Sequence, residues 1–439
     1  MAATEKKLGA SGVLYNERRD FYVDPQVTKE LWTDVAPFTT MVSNQELRSV
    51  PDPVFKMFEH RNPWIKQEFQ ANSNPSSLAA GNSESDNIDI DNIYNLSASA
   101  DSSYLGLICE VYDSTRTTNR GVVVISSIVD SDTIKVKNMT DDAIDIATDD
   151  YFCVIGNAHG EGSSAPDSWA DELSVVWNST QIFKTALQVT GTLQAAVLKG
   201  ESSELARLRK QKAQEHKMQK EKAFLFGKRV GGTGLDLQDG SSSDSFADGG
   251  RTDAAGNLIR STYGIISALE KYGSSSASED YQNIFTVSEA SYSYGDFVDD
   301  MEKVFQYVPE IGVKRAFVGA GALGYWSKMA GSSGLSGNSG WTVNLGDMKR
   351  DSLGFNYRVL ETPHGMLQLI PTPALRNQYN KYMVVVSDEN LFHAQYRPAM
   401  YQANIKTDNA FDGVKDQYMS DEGLGIQLIE SHSLFKITD

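Results

Sequence analysis

Three glycines of this chain, Gly319, Gly321 and Gly324, come nearest to a chemical motif, standing in the order G-x-G-x-x-G. They follow the apolar run Arg315-Ala316-Phe317-Val318 and open a helical stretch. In that context such glycines bind the pyrophosphate of a dinucleotide at a helix N-terminus. A nucleotide-dependent oxidoreductase using Gly319–Gly324 is therefore the catalytic alternative. Against it, residues 331–341 form a Gly/Ser run where a second parallel strand ending in an acidic residue should stand. Asp347 follows Leu345-Gly346 in no strand-like run, and no βαβαβ alternation surrounds it. The same small residues serve close packing of a helix on a strand, and that is the reading taken.

Other catalytic patterns are missing. The six histidines (His60, His159, His216, His364, His393 and His432) form no H-x-x-x-H pair, and Cys109 and Cys153 lack zinc-site spacing. Neither a G-x-S-x-G elbow nor a G-x-x-x-x-G-K-[S/T] phosphate loop occurs. The acidic runs Asp86–Asp91 and Asp141-Asp142 lack the spacing of a calcium loop and read as solvated turns. No catalytic residue, cofactor or metal is expected. The cysteines lie in apolar runs, LGLICEV and YFCVIG, and are expected to be free thiols.

The elements that could position function are dominated by one helix, Gly200 to Gly227. Between Glu201 and Lys222 it carries seven basic residues against four acidic ones, with only a thin apolar stripe from Leu205, Leu208 and Ala213. Such a helix lies across something, as a solvent-bridging strut or against a partner. The whole chain is acidic, with a net charge of −18 over 439 residues, which argues against broad binding to nucleic acid or a membrane surface. Its 40% apolar content fits a folded protein. The first fifteen residues hold no apolar signal core and no 18-residue apolar run exists, so an intracellular, soluble protein without a membrane segment is expected.

Residues 1–75 read as an extended arm with short helices. Thr28–Val42 places Leu31, Val35, Phe38 and Val42 at helical spacing, kinked by Pro37. A second short helix is expected after Pro51, with Val54, Phe55 and Phe58 apolar, stopped by Asn62-Pro63. Trp32, Phe38, Phe55, Phe58 and Trp64 are too many aromatics for so few residues to bury. Residues 71–85 read as a polar linker. Short alternating strands then follow up to Asn157, the pattern of a small all-β module. After the long helix, residues 231–256 form a Gly/Ser/Asp loop too long for an ordinary connection. An α+β region follows, with helices at Ser261–Tyr272, Tyr294–Val308 and Leu323–Met329, and strands run to the C-terminus.

This order of parts resembles the major capsid proteins of tailed bacteriophages, which have the HK97-like fold. The resemblance implies an α+β subunit with an N-terminal arm at 1–75 and an E-loop with a small β insertion at 76–165. It implies a P domain at 166–230 that includes a spine helix at 201–226, an A domain at 231–386, and returning P-domain strands at 387–439. Asp86–Asn157 is similar to an E-loop, Trp177–Leu198 to its return, Leu258–Val386 to the A domain and Leu391–Ile437 to the last strands. The function implied is a structural major capsid protein, without catalysis, that self-assembles as hexamers and pentamers into an icosahedral shell enclosing phage DNA. An encapsulin-like compartment shell is the second structural possibility. The partners implied are copies of itself, packaged double-stranded DNA on the inner face, and separate scaffolding, portal and possible decoration proteins. The place implied is the virion, assembled in the host cytoplasm. On this reading Trp32, Phe38, Phe55, Phe58 and Trp64 anchor the arm on neighbours. Arg207, Arg209, Lys212 and Lys217 meet a neighbouring subunit or DNA, with intersubunit pairing preferred because Glu and Lys alternate along the helix. Deletion of residues 1–45 is expected to leave a folded domain that forms no stable shells.

Overall fold

The computed structural model describes residues 36–60, 68–91, 104–163, 173–196, 204–229, 255–275, 281–307, 312–332, 349–350, 356–405 and 412–438, a few single positions within them excepted. The chain opens with α1 (Pro37–Gln45), β1 (Leu47–Ser49) and β2 (Val54–Glu59). Next come β3 (Glu68–Ser73), β4 (Ser76–Leu78), β5 (Ile88–Asp91), β6 (Leu107–Tyr112), β7 (Asn119–Asp130), β8 (Thr133–Asn138), β9 (Ile144–Ile146) and β10 (Tyr151–Asn157). Then follow β11 (Ser174–Ser179), β12 (Gln181–Thr190), α2 (Gly191–Ala195), α3 (Glu204–Phe226), α4 (Ile265–Tyr272), β13 (Ile284–Ser288), α5 (Tyr294–Phe305), β14 (Val313–Val318) and α6 (Ala320–Ser332). The rest is β15 (Lys349–Arg350), β16 (Asn356–Glu361), β17 (Met366–Pro371), β18 (Tyr382–Val386), β19 (Leu391–Gln402), β20 (Gly413–Ile426) and β21 (Ser433–Thr438).

Two units make up the chain, one built around Phe58–Val175 and the other from the segments before and after it. The inserted unit is a closed barrel in the order β10-β3-β5-β8-β7-β6, with a small β4–β9 ribbon. Alternation builds it: on β6, Leu107, Cys109 and Val111 point inward, and on β7 so do Val123 and Ile125. Phe69 and Phe152 stack inside with ring centroids 5.0 Å apart. The expected strands of the β module are present. The expected polar linker is not one: Phe69, Ala71 and Leu78 alternate inward, so β3 and β4 belong to this unit. Cys109 is buried and Cys153 half-buried, both free, and burial pushes the Cys109 thiol up to about 12.

In the other unit a seven-stranded sheet, β13-β21-β18-β14-β17-β16-β15, carries a core on each face. Successive residues of one strand face opposite cores. Phe317, Ile370, Val384 and Leu434 pack with α1, α4 and the end of α3. Ala316, Leu369, Val385 and Phe435 pack with α5 and α6, around the fully buried Trp326. α5 forms where its apolar spacing requires, Phe297, Met301, Val304 and Phe305 facing the core, and Ser293 and Asp296 close a capping box at its start. A second sheet, β1-β19-β20-β12, runs along α3. β12 buries Phe183, Thr185, Leu187 and Val189 on one face and leaves the alternate residues outside.

Three expectations are corrected. Residues 54–59 are a strand, since Phe55, Met57 and Glu59 are buried in alternation and Lys56 and Phe58 are outside. Pro37 does not kink a helix; it starts one, at the first helical position, where its missing N–H costs nothing. The strands after residue 387 do not return together, because β21 enters the seven-stranded sheet, parallel to β13 and antiparallel to β18. Leu434 faces one core and Phe435 and Ile437 the other, which suits a central strand.

Candidate functional site

The long helix and β20 are joined by a row of charged and polar side-chain contacts. Alternate residues of β20 (Asp416, Tyr418, Ser420 and Glu422) share one face, and that face meets α3. Opposite them the helix presents Arg209, His216 and Lys220, spaced seven and four residues apart, so they form one stripe. Arg209 donates to Asp416 Oδ2 from Nη2 at 2.8 Å and from Nε at 2.9 Å. Asp416, fully buried, also accepts the Tyr401 hydroxyl at 2.5 Å and the Asn404 N–H at 2.7 Å. Burial would raise its carboxyl, but these three donors outweigh burial and hold it below the usual range.

The next turns of the helix continue the pattern. His216 lies between Thr185 Oγ1 and Ser420 Oγ, each 3.1 Å from a ring nitrogen. Burial and the nearby Lys220 charge push its pKa down. Lys220 pairs with Glu422 at 3.1 Å, Glu422 meets His393 Nε2 at 3.0 Å, and His393 Nδ1 lies 3.1 Å from Ser43 Oγ of α1. Glu221 turns the other way. Its carboxylate, fully buried, accepts the N–H of Phe38 at 3.1 Å and both the N–H and hydroxyl of Thr39 at 2.7 Å. It thereby caps α1, whose own N-cap residue, Ala36, has no side chain able to do so.

The residues singled out from the sequence are not brought together. Phe38 and Phe55 are buried in their own chain, edge-on to Phe317 at 5.0 Å and tilted against Phe392 at 6.0 Å, so neither is available to anchor an arm on a neighbour. Phe58 is 69% exposed. Trp32 and Trp64 lie outside the described residues. Arg207 pairs with Glu204 of its own helix, Nε to Oε2 at 3.0 Å, and Lys212 with Glu215 at 2.6 Å. Arg209, expected on a neighbour or on DNA, is engaged by Asp416 on β20 of its own chain. Lys217 makes no ion pair with a described residue. The strand is expected from the sequence, but its pairing with the helix is not, although the polar alternation of Asp416, Tyr418, Ser420 and Glu422 signals a strand with one polar face.

The glycine motif is closed. A side chain at Gly319 would collide with the Asn380 carbonyl, and one at Gly321 would sit 2.8 Å from the Asn380 amide nitrogen. The Gly321 N–H donates to Asn380 Oδ1 at 3.0 Å, and the Ala322 N–H donates to the Asn380 carbonyl at 3.1 Å. The donors a pyrophosphate would need are therefore already used. Among the described residues, no three His, Cys, Asp or Glu side chains gather to hold a metal, and no helix is long and apolar enough to cross a membrane.

One buried base lies away from the helix. His432 is fully buried, and its Nδ1 accepts the Ser387 N–H at 3.1 Å. Burial, and then the nearby Lys314 charge, push its pKa down to about 3. The unfolded chain takes up this proton near pH 6.5. The histidine's contribution is therefore whole above pH 6.5 and is lost as the pH falls from there toward 3. At pH 5 the loss is about 2 kcal/mol. Urea denaturation of the subunit at pH 7 and pH 5 should show it: His432→Asn, which keeps an acceptor for Ser387, loses about 2 kcal/mol less than the native chain. Equal losses in both would refute the assignment.

A family model described as SU10 major capsid protein matches residues 32–426. No curated protein matches the chain by sequence. Among solved structures, the capsid of a native GTA particle is similar at 8% identity and a TM-score of 0.49, covering 98% of this chain and 99% of that one. The capsid of the cyanophage P-SCSP1u is similar at 7% identity and a TM-score of 0.40, over 65% of this chain and 81% of that one. A holo-SrpI encapsulin from Synechococcus elongatus PCC 7942 is similar at 6% identity and a TM-score of 0.37, over 61% and 77%.

Proposed function

The chain belongs to the SU10 major capsid protein family, and from that premise we propose that it builds an icosahedral shell of hexamers and pentamers enclosing phage DNA. The family match carries this reading, since it runs from before α1 to the end of β20. The protein is a structural capsid subunit. Its parts follow the HK97-like order: an inserted β unit, one long helix, then an α+β region. α3, with 23 residues, takes the place of the spine helix, and the barrel, entered from β2 and left into β11, that of an enlarged E-loop. The sheet with α4, α5 and α6 takes the place of the A domain.

The subunit acts without catalysis. Supporting this, Arg207, Arg209, Lys212 and Lys220 of α3 are paired with carboxylates of the same chain, and Asn380 fills the glycine motif. Exposed Phe58 and the arm before α1 then reach neighbouring copies. Lys210, Lys217 and Lys222, which make no ion pair with a described residue, are the helix cations left for a neighbour or for DNA. Scaffolding, portal and decoration functions belong to other proteins, and the finished subunit resides in the virion after assembly in the host cytoplasm.

Expression alone and with a candidate scaffold, followed by size-exclusion chromatography and negative-stain microscopy, tests the reading. Closed shells, or rings of five or six subunits, are expected. A monomer under every condition would overturn it.

A further inference from the structure

A groove of about 460 Å³ opens at the carboxyl ends of β14 and β17, adjacent parallel strands ending at Val318 and Pro371. Ligand crevices in mixed sheets favour such strand ends. One wall is a face of α6 formed by Ala320, Leu323, Gly324 and Ser327, where a side chain built on Gly324 meets no atom within 4 Å. The other wall is the turn after β17. Arg358 of β16 and Arg376 line the groove, and among the described residues that line it none is acidic. Arg358 shares its face of β16 with Leu360, which packs in the same core as Trp326 of α6. It is half-buried and makes no hydrogen bond or ion pair with a described residue.

A half-covered guanidinium without an acceptor is half of an interaction, and a carboxylate completes it with paired, charge-assisted hydrogen bonds. The source of that carboxylate follows from the charge of the chain, 58 acidic residues against 40 basic ones. In a shell every neighbour is an equally acidic copy, so contacts between copies need basic receptors to offset like-charge repulsion. We propose that this groove receives an acidic segment from a second copy of the chain, whose Asp or Glu carboxylate is held by Arg358 with Arg376 beside it. The inference rests on the shell reading.

The test is zero-length carbodiimide coupling of particles carrying Arg358→Lys, assembled from mixed heavy- and light-isotope subunits. The expected result is an isopeptide between residue 358 and an Asp or Glu of the other isotope. Arg358→Glu should lower particle yield at least tenfold while the subunit melts as the native chain does. Should Arg358→Glu fail to fold, the coupling result alone decides. Coupling only within one copy or to a different protein, no coupling at all, or Arg358→Glu particles formed in native yield would each overturn the inference. Failure of the unaltered chain to assemble would instead overturn the shell reading, and the inference with it.

Discussion

Removal of residues 1–35 is expected to leave the subunit folded, whereas removal of residues 1–45 is expected to abolish folding. The ten residues between these cuts include Phe38, Met41 and Val42, exposed by no more than 1% and packed among α3, α4 and the seven-stranded sheet. Deleting a buried side chain of this size costs about 2–5 kcal/mol, so losing all three removes about 8 kcal/mol. A domain has only about 5–15 kcal/mol in total. The longer cut also leaves Glu221 buried without its three donors. Circular dichroism and soluble yield of the two truncations would separate them. A 46–439 chain that melts within a few degrees of the 36–439 chain would refute the argument. The cut at residue 45 suggested by the sequence therefore mixes two effects, and the cut at residue 35 isolates the arm. If the arm joins neighbours, the 36–439 subunit folds normally and forms no stable shells by microscopy.

The difference between those cuts shows where sequence legibility stopped. α5 was readable because four apolar residues repeat at helical spacing behind a capping box, a signal contained in about fifteen residues. The barrel strands were readable from alternation. Val54–Glu59 was not, because Val54, Phe55, Met57 and Phe58 satisfy either period over so short a run, and the buried Glu59 that settles it looks polar. The charged helix was legible as a helix with a partner. The identity of that partner was hidden because Asp416 and Glu422 stand about 200 residues further along the chain, and a distant strand leaves no local trace. For the same reason the bases of the helix looked available when most are neutralised at home. One local sign did exist. A helix that begins Ala36-Pro37-Phe38 with no Ser, Thr, Asp or Asn at its cap must find an acceptor elsewhere.

That acceptor is Glu221, and Glu221→Ala is expected to destabilise the subunit by about 3–5 kcal/mol, since three buried donors lose their partner at about 1–3 kcal/mol each, partly relieved by relaxation. The side chain joins two elements 182 residues apart in sequence, so the loss falls on the docking of α1 and not on the helix that carries the residue. Burial pushes the Glu221 carboxyl up, and the hydrogen bonds from Thr39 and Phe38 pull against it. Its anionic form faces the positive end of α1. Glu221→Gln keeps one acceptor oxygen and turns an amide toward the remaining donors, so a loss of about 2 kcal/mol is expected. Thr39→Val removes one donor and its claim on the carboxylate together, and should cost about 1 kcal/mol. The order Ala, Gln, Thr39→Val therefore distinguishes a cap from mere packing, because packing alone would spare the isosteric Gln. Combining Glu221→Ala with Thr39→Val should cost less than the sum by about 1 kcal/mol, as expected of residues in direct contact. Urea midpoints of the four variants at neutral pH measure all of this. A Glu221→Ala subunit within 1 kcal/mol of the native chain would mean that α1 is held by its apolar face alone.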